Sequence, residues 1–298
     1  MTLPVDSILP RLCDQLASTP ALVLTAAPGA GKSTRVPLAL MAAPWCHGRV
    51  LLLEPRRLAA RATASFMASS LGESLGQRVG LRTRMETRIS AQTKVEVVTE
   101  GVLSRMLLAD PALEGYQVII FDEFHERSLQ ADLGLALARQ SQQLLRPDLR
   151  LLIMSATLET GALRDMLEQA PVMSVEGRCY PVSVSHDPPS RRDQWLAHAE
   201  AVIRRKAGQG TVLVFLPGER EIRQLADRLA ELEGAGIRIQ CLYGQLSNDK
   251  QRQVLQPADP AAPRVVLSTA IAQTSVTLDN VSVVIDAGFE RRAVFDPA

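Results

Sequence analysis

The sequence predicts an α/β protein with two domains, each built on a parallel β-sheet. Its 298 residues are enough for about two domains, since one domain takes roughly 150 residues. Short apolar runs rich in Val, Ile and Leu alternate with segments of helical spacing, which is typical of buried parallel strands joined by helices. This alternation stops past the middle of the chain and then starts again.

The first half carries five predicted strands and at least two helices. The strands are expected at residues 21–25, 50–53, 95–98, 118–121 and 151–154. Apolar residues recur at helical spacing over residues 58–71 and 129–145. Because each strand is apolar throughout, we expect both faces of the sheet to be covered.

The second half repeats this organisation after a segment that breaks regular structure. Pro181, Pro188 and Pro189 lie in this segment, and we place the domain boundary at residue 188, giving domains 1–187 and 188–298. Strands are expected at residues 212–215, 237–242, 265–267 and 281–285, with helices near residues 219–232 and 249–255.

Composition excludes several classes of protein. The 33 basic and 32 acidic residues leave a formal charge of +1, so any site for a polyanion must be local. The four cysteines are isolated, which argues against zinc and disulfides and for a reducing cytoplasm. No apolar run approaches the roughly 20 residues that span a bilayer, so we expect no membrane association.

A phosphate-binding loop is predicted at residues 26–33, which read AAPGAGKS and follow the first strand. Small residues let backbone N–H groups surround phosphate oxygens, Lys32 reaches the phosphates, and Ser33 holds Mg²⁺. Lys32 is one of only four lysines, and Ala26 replaces the usual first Gly. The alternative is a glycine-rich turn without a ligand. The candidate nucleotide-binding residues here are Ala27, Pro28, Gly29, Ala30, Gly31, Lys32, Ser33 and Thr34.

Two adjacent carboxylates, Asp122 and Glu123, end the fourth predicted strand. Asp122 is the candidate ligand for Mg²⁺, and Glu123 is the candidate that orients or deprotonates the attacking water. With Lys32 they form the predicted catalytic set. The alternative is a solvated strand end.

Residues 122–125, DEFH, resemble the DExH box of superfamily 2 helicases. Together with the phosphate-binding loop, five further segments resemble motifs of these helicases in the same order. They are EPRRLAA at 54–60 for motif Ia, TEGVL at 99–103 for Ib, SAT at 155–157 for III, VFLPG at 214–218 for IV and STAIAQTSVT at 268–277 for V. The chain is therefore identified as a DEAH/DExH-box helicase of the bacterial type.

The resemblance implies two RecA-like P-loop domains that clamp ATP and Mg²⁺ between them and hold a single strand of RNA or DNA. It implies a nucleic-acid helicase, with RNA the favoured substrate, that couples ATP hydrolysis to strand movement. The implied nucleic-acid contacts are Arg56, Arg57, Thr99, Gly101, Pro217, Gly218 and Thr269. Such contacts reach the backbone and carry no base information. For Arg56 and Arg57 the alternative is a surface ion pair.

The remaining implied roles concern ATP and domain closure. The resemblance implies that His125 and Thr277 lie at the nucleotide. It also implies that Ser155 and Thr157 couple the nucleotide site to closure of the two domains. A helix N-cap is the alternative for Ser155 and Thr157. A histidine satisfied by local hydrogen bonds is the alternative for His125.

Departures from the family pattern lead to further expectations. Motif V has Ala270 and Gln273 where the family has Asn and Glu, which predicts weaker coupling, and Phe66 replaces an Arg that stacks on adenine. Motif VI, with its arginine fingers, is expected beyond Ala298. The second domain is therefore expected to be incomplete, and the chain to be part of a longer helicase that hydrolyses ATP slowly without motif VI.

Two rival functions follow. One is an ATPase that moves protein or small-molecule cargo, which predicts no stimulation by nucleic acid, and the ordered motifs argue against it. The other is a nucleotide-dependent single-strand-binding module with little intrinsic hydrolysis.

Overall fold

The computed structural model describes residues 2–156, 163, 166–175, 181–256, 259, 262–272, 278 and 280–291. The chain divides into two compact units, Met1–Pro181 and Val182–Ala298. This division falls at the first proline of the segment that the sequence marks as irregular. The placement of the boundary at residue 188 stays a prediction.

The first unit contains eight strands and five helices among its described residues. The strands are β1 (Ala21–Ala26), β2 (Arg49–Glu54), β3 (Val79–Arg82), β4 (Thr87–Arg88), β5 (Val95–Thr99), β6 (Tyr116–Phe121), β7 (Arg150–Ser155) and β8 (Val172–Val175). The helices are α1 (Leu9–Ser18), α2 (Lys32–Ala42), α3 (Arg57–Ser70), α4 (Glu100–Ala109) and α5 (Leu129–Leu144), with 3₁₀ turns at Pro4–Ser7 and Phe124–Glu126.

These strands form one sheet in the order β4-β3-β5-β2-β6-β7-β1-β8. All neighbours are parallel except β4, which runs antiparallel to β3. Val23 of β1, for example, lies opposite Ile153 of β7 and Val172 of β8. The predicted parallel sheet and its five predicted strands are confirmed.

Each central strand is buried on both faces. Leu22 and Leu24 of β1 pack into one apolar cluster together with residues of α1, α2 and α3. The alternate residues Ala21 and Val23 pack into a second cluster together with residues of α4 and α5. Helices on both sides of the sheet therefore explain why the strands read as continuous apolar runs.

The second unit is a smaller α/β unit with its own core. Its strands are β9 (Thr211–Phe215), β10 (Arg238–Leu242), β11 (Arg264–Ser268) and β12 (Val281–Asp286), all parallel in the order β10-β11-β9-β12. Its helices are α6 (Trp195–Lys206), α7 (Glu219–Leu229), α8 (Glu231–Gly234) and α9 (Asn248–Leu255), with 3₁₀ turns at Arg192–Gln194 and Ala270–Ala272. The four strands predicted from the second half of the sequence are thereby confirmed.

Across the described parts of both units, none of the helices combines the length and the apolar character that crossing a bilayer requires.

Candidate functional site

The candidate catalytic residues lie at one edge of the first sheet. Strands β6, β7 and β1 are neighbours in the sheet, and because they are parallel, their carboxyl ends meet at the same edge. Asp122 follows β6, Ser155 ends β7, and the phosphate-binding loop follows β1. Fold topology alone therefore brings together segments that are about a hundred residues apart in sequence.

The loop between β1 and α2 has the backbone geometry of an anion site. Gly29 and Gly31 have φ of +76° and +90°, values that favour glycine. The Ala30 N–H donates to the Ala27 carbonyl at 3.2 Å and closes a tight turn. Helix α2 begins at Lys32, and the N–H groups of its first turn have no carbonyl partner inside the helix. They are available to an anion, which the helix dipole also favours.

Lys32 is buried, with 4% of its surface exposed. Its ammonium Nζ donates to the Ala26 carbonyl at 2.5 Å, across the base of the loop. Burial raises the pKa of both Asp122 and Glu123, and the positive charge of Lys32 opposes part of this rise. Lys32 therefore lies among the same groups that the sequence assigns to catalysis.

Asp122 is enclosed by protein, and its Oδ1 accepts the Glu123 N–H at 2.8 Å. Burial, and secondly the Glu123 charge, raise the pKa of Asp122 to about 6, whereas a hydrogen bond from Ser33 lowers it. Oδ2 of Asp122 is buried and, within the described part of the chain, has no hydrogen-bond partner. An unsatisfied carboxylate oxygen beside a serine hydroxyl fits Mg²⁺, which takes few protein ligands and completes its shell with phosphate and water oxygens. The described residues contain no cluster of three His, Cys, Asp or Glu side chains that could hold a metal by themselves.

Glu123 and His125 connect the DEFH segment to the SAT segment. Glu123 adopts a left-handed backbone conformation with φ of +48°, and burial raises the pKa of its carboxyl. His125 Nδ1 lies 3.4 Å from Glu123 Oε2 and accepts the Ala156 N–H at 3.3 Å. Burial lowers the pKa of His125, which favours the neutral ring that can accept this hydrogen bond. His125 thus makes a local hydrogen bond to the SAT segment next to the candidate catalytic carboxylate.

Sequence reasoning missed Glu54, a second buried carboxylate at this edge. Glu54 ends β2, which neighbours β6, and only 1% of its surface is exposed. Thr63 Oγ1 donates to Glu54 Oε1 at 3.2 Å. Burial, followed by the charges of Asp122 and Glu123, raises the pKa of Glu54 well above its ordinary value. The available signal was a carboxylate that ends an otherwise apolar strand.

The candidate nucleic-acid contacts of the first unit lie further along the same edge. Arg56 and Arg57 follow β2, whose neighbour β5 ends at Thr99. Gly101 lies in the first turn of α4, directly after β5. Arg56 Nη2 pairs with Glu126 Oε2 at 3.3 Å, so the ion pair given as the alternative is present, and a contact of Arg56 to nucleic acid stays a prediction. Arg57 is exposed and forms no salt bridge with any residue that the structure describes. A Cβ added at Gly101 would meet open space.

In the second unit, the candidates also share an edge. Pro217 and Gly218 follow β9, and Thr269 follows its neighbour β11. Gly218 is the N-cap of α7, and the Thr269 N–H donates to the Leu242 carbonyl at 3.3 Å.

The other residues singled out from the sequence differ in how far they are described. Ser155 is buried at the end of β7, and Phe66 projects from α3 with 59% of its surface exposed. Ala270 begins a 3₁₀ turn. Thr157, Gln273 and Thr277 lie outside the described residues, so their roles stay predictions.

Comparison with known proteins gives two matching families. Residues 9–166 match the DEAD/DEAH box helicase family, and residues 195–296 match the helicase conserved C-terminal domain. The chain is 47% identical over 299 residues to the ATP-dependent RNA helicase HrpB of Escherichia coli, covering 99% of this chain and 37% of that protein. It is 33% identical over 310 residues to the pre-mRNA-splicing factor ATP-dependent RNA helicase prp22 of Schizosaccharomyces pombe, covering 99% of this chain and 26% of that protein.

A solved structure agrees with these relatives. The crystal structure of the Escherichia coli DEAH/RHA helicase HrpB superposes with a TM-score of 0.91 at 48% identity, covering 99% of this chain and 38% of that one. The chain thus spans little more than a third of the length of its bacterial relative. Because the first match covers more than half of the chain and includes both the phosphate-binding loop and the DEFH segment, the protein belongs to the DEAD/DEAH box helicase family.

Proposed function

We propose that the first unit binds ATP with Mg²⁺ and hydrolyses it, and that the protein acts on single-stranded RNA as an ATP-dependent helicase. One observation carries the proposal: a single sheet edge brings together the loop between β1 and α2, the Lys32 and Ser33 side chains at the start of α2, and the carboxylates of Asp122 and Glu123. RNA is the favoured substrate because the relatives HrpB and prp22 are named as RNA helicases.

Each residue of the proposed ATP site has a distinct role. The N–H groups at the start of α2 and the ammonium of Lys32 bind the phosphate oxygens. Ser33 and Asp122 would hold Mg²⁺, which neutralises phosphate charge when it is bound. Glu123 orients the attacking water and accepts its proton, and its raised pKa makes the carboxylate a stronger base.

Contacts to RNA are proposed at the neighbouring part of the edge. Arg57 offers an exposed guanidinium, Thr99 a hydroxyl, and Gly101 an uncovered stretch of backbone. Groups of this kind hold phosphates and riboses without reading bases. The ion pair from Arg56 to Glu126 joins this region to the DEFH segment. The hydrogen bond from Ala156 to His125 joins the DEFH segment to the SAT segment, and we propose that both contribute to coupling of hydrolysis to strand movement.

The test is ATP turnover with and without single-stranded RNA, together with ATP binding, for the unaltered chain, Lys32→Ala and Glu123→Gln. We expect Lys32→Ala to lose ATP binding, and Glu123→Gln to bind ATP and RNA without turnover. Hydrolysis that proceeds at an equal rate in Glu123→Gln would contradict the role of Glu123. If a longer chain that includes the expected motif VI binds RNA in an ATP-dependent way but never hydrolyses ATP, the alternative of a switch-like binding module is correct.

A further inference from the structure

The segment before α1 packs directly against the phosphate-binding loop. This N-terminal turn, residues 3–7, contains the 3₁₀ turn Pro4–Ser7, and it touches the loop and helix α2 at three separate points. We propose that the N-terminal turn positions the phosphate-binding loop for ATP, so that its residues are positioning residues for nucleotide binding. The inference rests on the proposed ATP site.

The first contact fixes the orientation of a loop peptide. The Val5 N–H donates to the Ala30 carbonyl at 3.1 Å, and Val5 itself is completely buried. In a trans peptide the carbonyl and the next N–H point in opposite directions. Holding the Ala30 carbonyl toward Val5 therefore directs the Gly31 N–H to the other side. As far as the chain is described, no protein group accepts that N–H.

The second contact is steric. A Cβ built on Gly31 would come within 2.6 Å of Leu3 Cδ1, so the Leu3 side chain covers the α-carbon of Gly31. Gly31 has φ of +90° and is the N-cap of α2, directly before Lys32. Leu3 thereby restricts the movement of the residue at which the loop turns into the helix.

The third contact joins the turn to α2 through charge. Asp6 Oδ2 accepts the Leu3 N–H at 2.8 Å, which closes the turn. Asp6 Oδ1 also lies 3.1 Å from Arg35 Nε. Arg35 belongs to the first turns of α2, where its N–H donates to the Gly31 carbonyl at 2.9 Å. A single carboxylate thus connects the N-terminal turn to the helix that carries Lys32 and Ser33.

These three contacts predict an effect on affinity. Without them, the peptide between Ala30 and Gly31 can rotate, and its N–H must be ordered again when phosphate binds, which weakens binding. Among the described residues, no hydrogen bond or salt bridge joins the N-terminal turn to Asp122 or Glu123. Once ATP is bound, the turnover rate should therefore change little.

The experiment compares Asp6→Ala and Leu3→Ala with Asp14→Ala, an exposed carboxylate of α1, and with Lys32→Ala. Titration with a fluorescent ATP analogue gives the Kd at a temperature well below the melting point of each variant, which is measured separately without nucleotide. We expect Asp6→Ala and Leu3→Ala to raise the Kd about tenfold. The Kd of Asp14→Ala should stay within about twofold of that of the unaltered protein, because substitution of this exposed residue leaves the contacts of the N-terminal turn in place. Asp6→Glu should recover part of the affinity, since it keeps the charge.

Unchanged affinity in Asp6→Ala and Leu3→Ala overturns the inference, even if their melting temperatures fall, because the turn is then only part of the core. Lys32→Ala separates this failure from failure of the proposed function. If Lys32→Ala loses ATP binding while the turn variants keep it, the ATP site stands and the N-terminal turn does not position it. If Lys32→Ala also binds ATP normally, the proposed ATP site itself is wrong.

Discussion

Glu123 occupies a conformation that non-glycine residues rarely adopt. Its φ of +48° places it in the left-handed region, which costs roughly 1–2 kcal/mol. The strain follows directly after Asp122 and turns the chain so that the Glu123 carboxylate and His125 come within 3.4 Å. Glycine would adopt this backbone conformation at a lower cost in free energy. The presence of a glutamate here therefore supports a function for its side chain.

Substitution of Glu123 by glutamine tests that function. Glutamine has nearly the same shape but is not a base, so we expect ATP affinity to be retained while turnover falls roughly 10²- to 10⁴-fold. Phosphate release and ATP binding are measured on the same preparation. Glu114→Gln, an exposed glutamate of the same unit, should turn over ATP at the unaltered rate. A Glu123→Gln protein that also loses ATP binding would point to a structural role.

The raised pKa of Asp122 predicts a pH dependence of stability in the absence of nucleotide. The folded value of about 6 lies above the ordinary value of 3.8, so the folded state holds this proton more tightly than the unfolded state. Protonation of Asp122 therefore stabilises the folded state by up to about 3 kcal/mol. This stabilisation is fully present below about pH 4 and is lost as the pH rises through 6. Urea unfolding at pH 5 and pH 8 should show a smaller difference for Asp122→Asn than for the unaltered chain.

Some residues of the candidate site can be predicted from the sequence, whereas the partners of others cannot. Lys32, Ser33, Asp122 and Glu123 follow strands at fixed spacings, and the topology of a parallel sheet brings them together. The ion pair between Arg56 and Glu126 joins residues 70 positions apart whose side-chain directions no periodicity determines. A sequence therefore indicates the presence of charged groups at an edge more readily than their partners.

Apolar periodicity predicted the strands at the centre of the first sheet and helices that cover this sheet. The prediction of a strand at residues 118–121 corresponds to β6, Tyr116–Phe121, and the prediction of a helix at 129–145 corresponds to α5, Leu129–Leu144. The sequence did not predict β3, β4 and β8. Strand β4 has two exposed residues, and β8 has four residues of which only Met173 is buried. Short edge strands bury too little surface to impose an apolar pattern.

Helix α5 offers a test of local structure near the site. Its N-cap Ser128 accepts the Ala131 N–H at 2.9 Å and donates to Glu100 Oε1 at 2.7 Å, at the start of α4. Ser128→Ala removes both hydrogen bonds and should lower the free energy of unfolding by about 1–2 kcal/mol. Ser69→Ala, at an exposed position of α3, should change it by less than about 0.5 kcal/mol. Equal values for the two variants in urea unfolding would show that the cap contributes nothing.

For the whole molecule, the separation of the apolar cores is the main physical feature. The two clusters of the first unit lie on either face of its sheet, and a third cluster belongs to the second unit. The restart of the strand and helix pattern in the sequence anticipated this separation. Each sheet can bury its own apolar surface, so each unit has the main driving force for folding within itself.

Separate cores predict that damage to one unit leaves the other able to bind its ligand. Leu225, on α7, and Leu16, on α1, are both completely buried, Leu225 in the core of the second unit and Leu16 in that of the first. Replacement of either by alanine should destabilise its own unit by about 2–5 kcal/mol, because a cavity remains. Calorimetry should show an unfolding transition at a lower temperature in both variants than in the unaltered chain. Leu225→Ala should keep the ATP affinity of the unaltered chain, whereas Leu16→Ala should weaken it as the first unit begins to unfold. A loss of ATP affinity in Leu225→Ala at low temperature would contradict this prediction and mean that the nucleotide site depends on the second core.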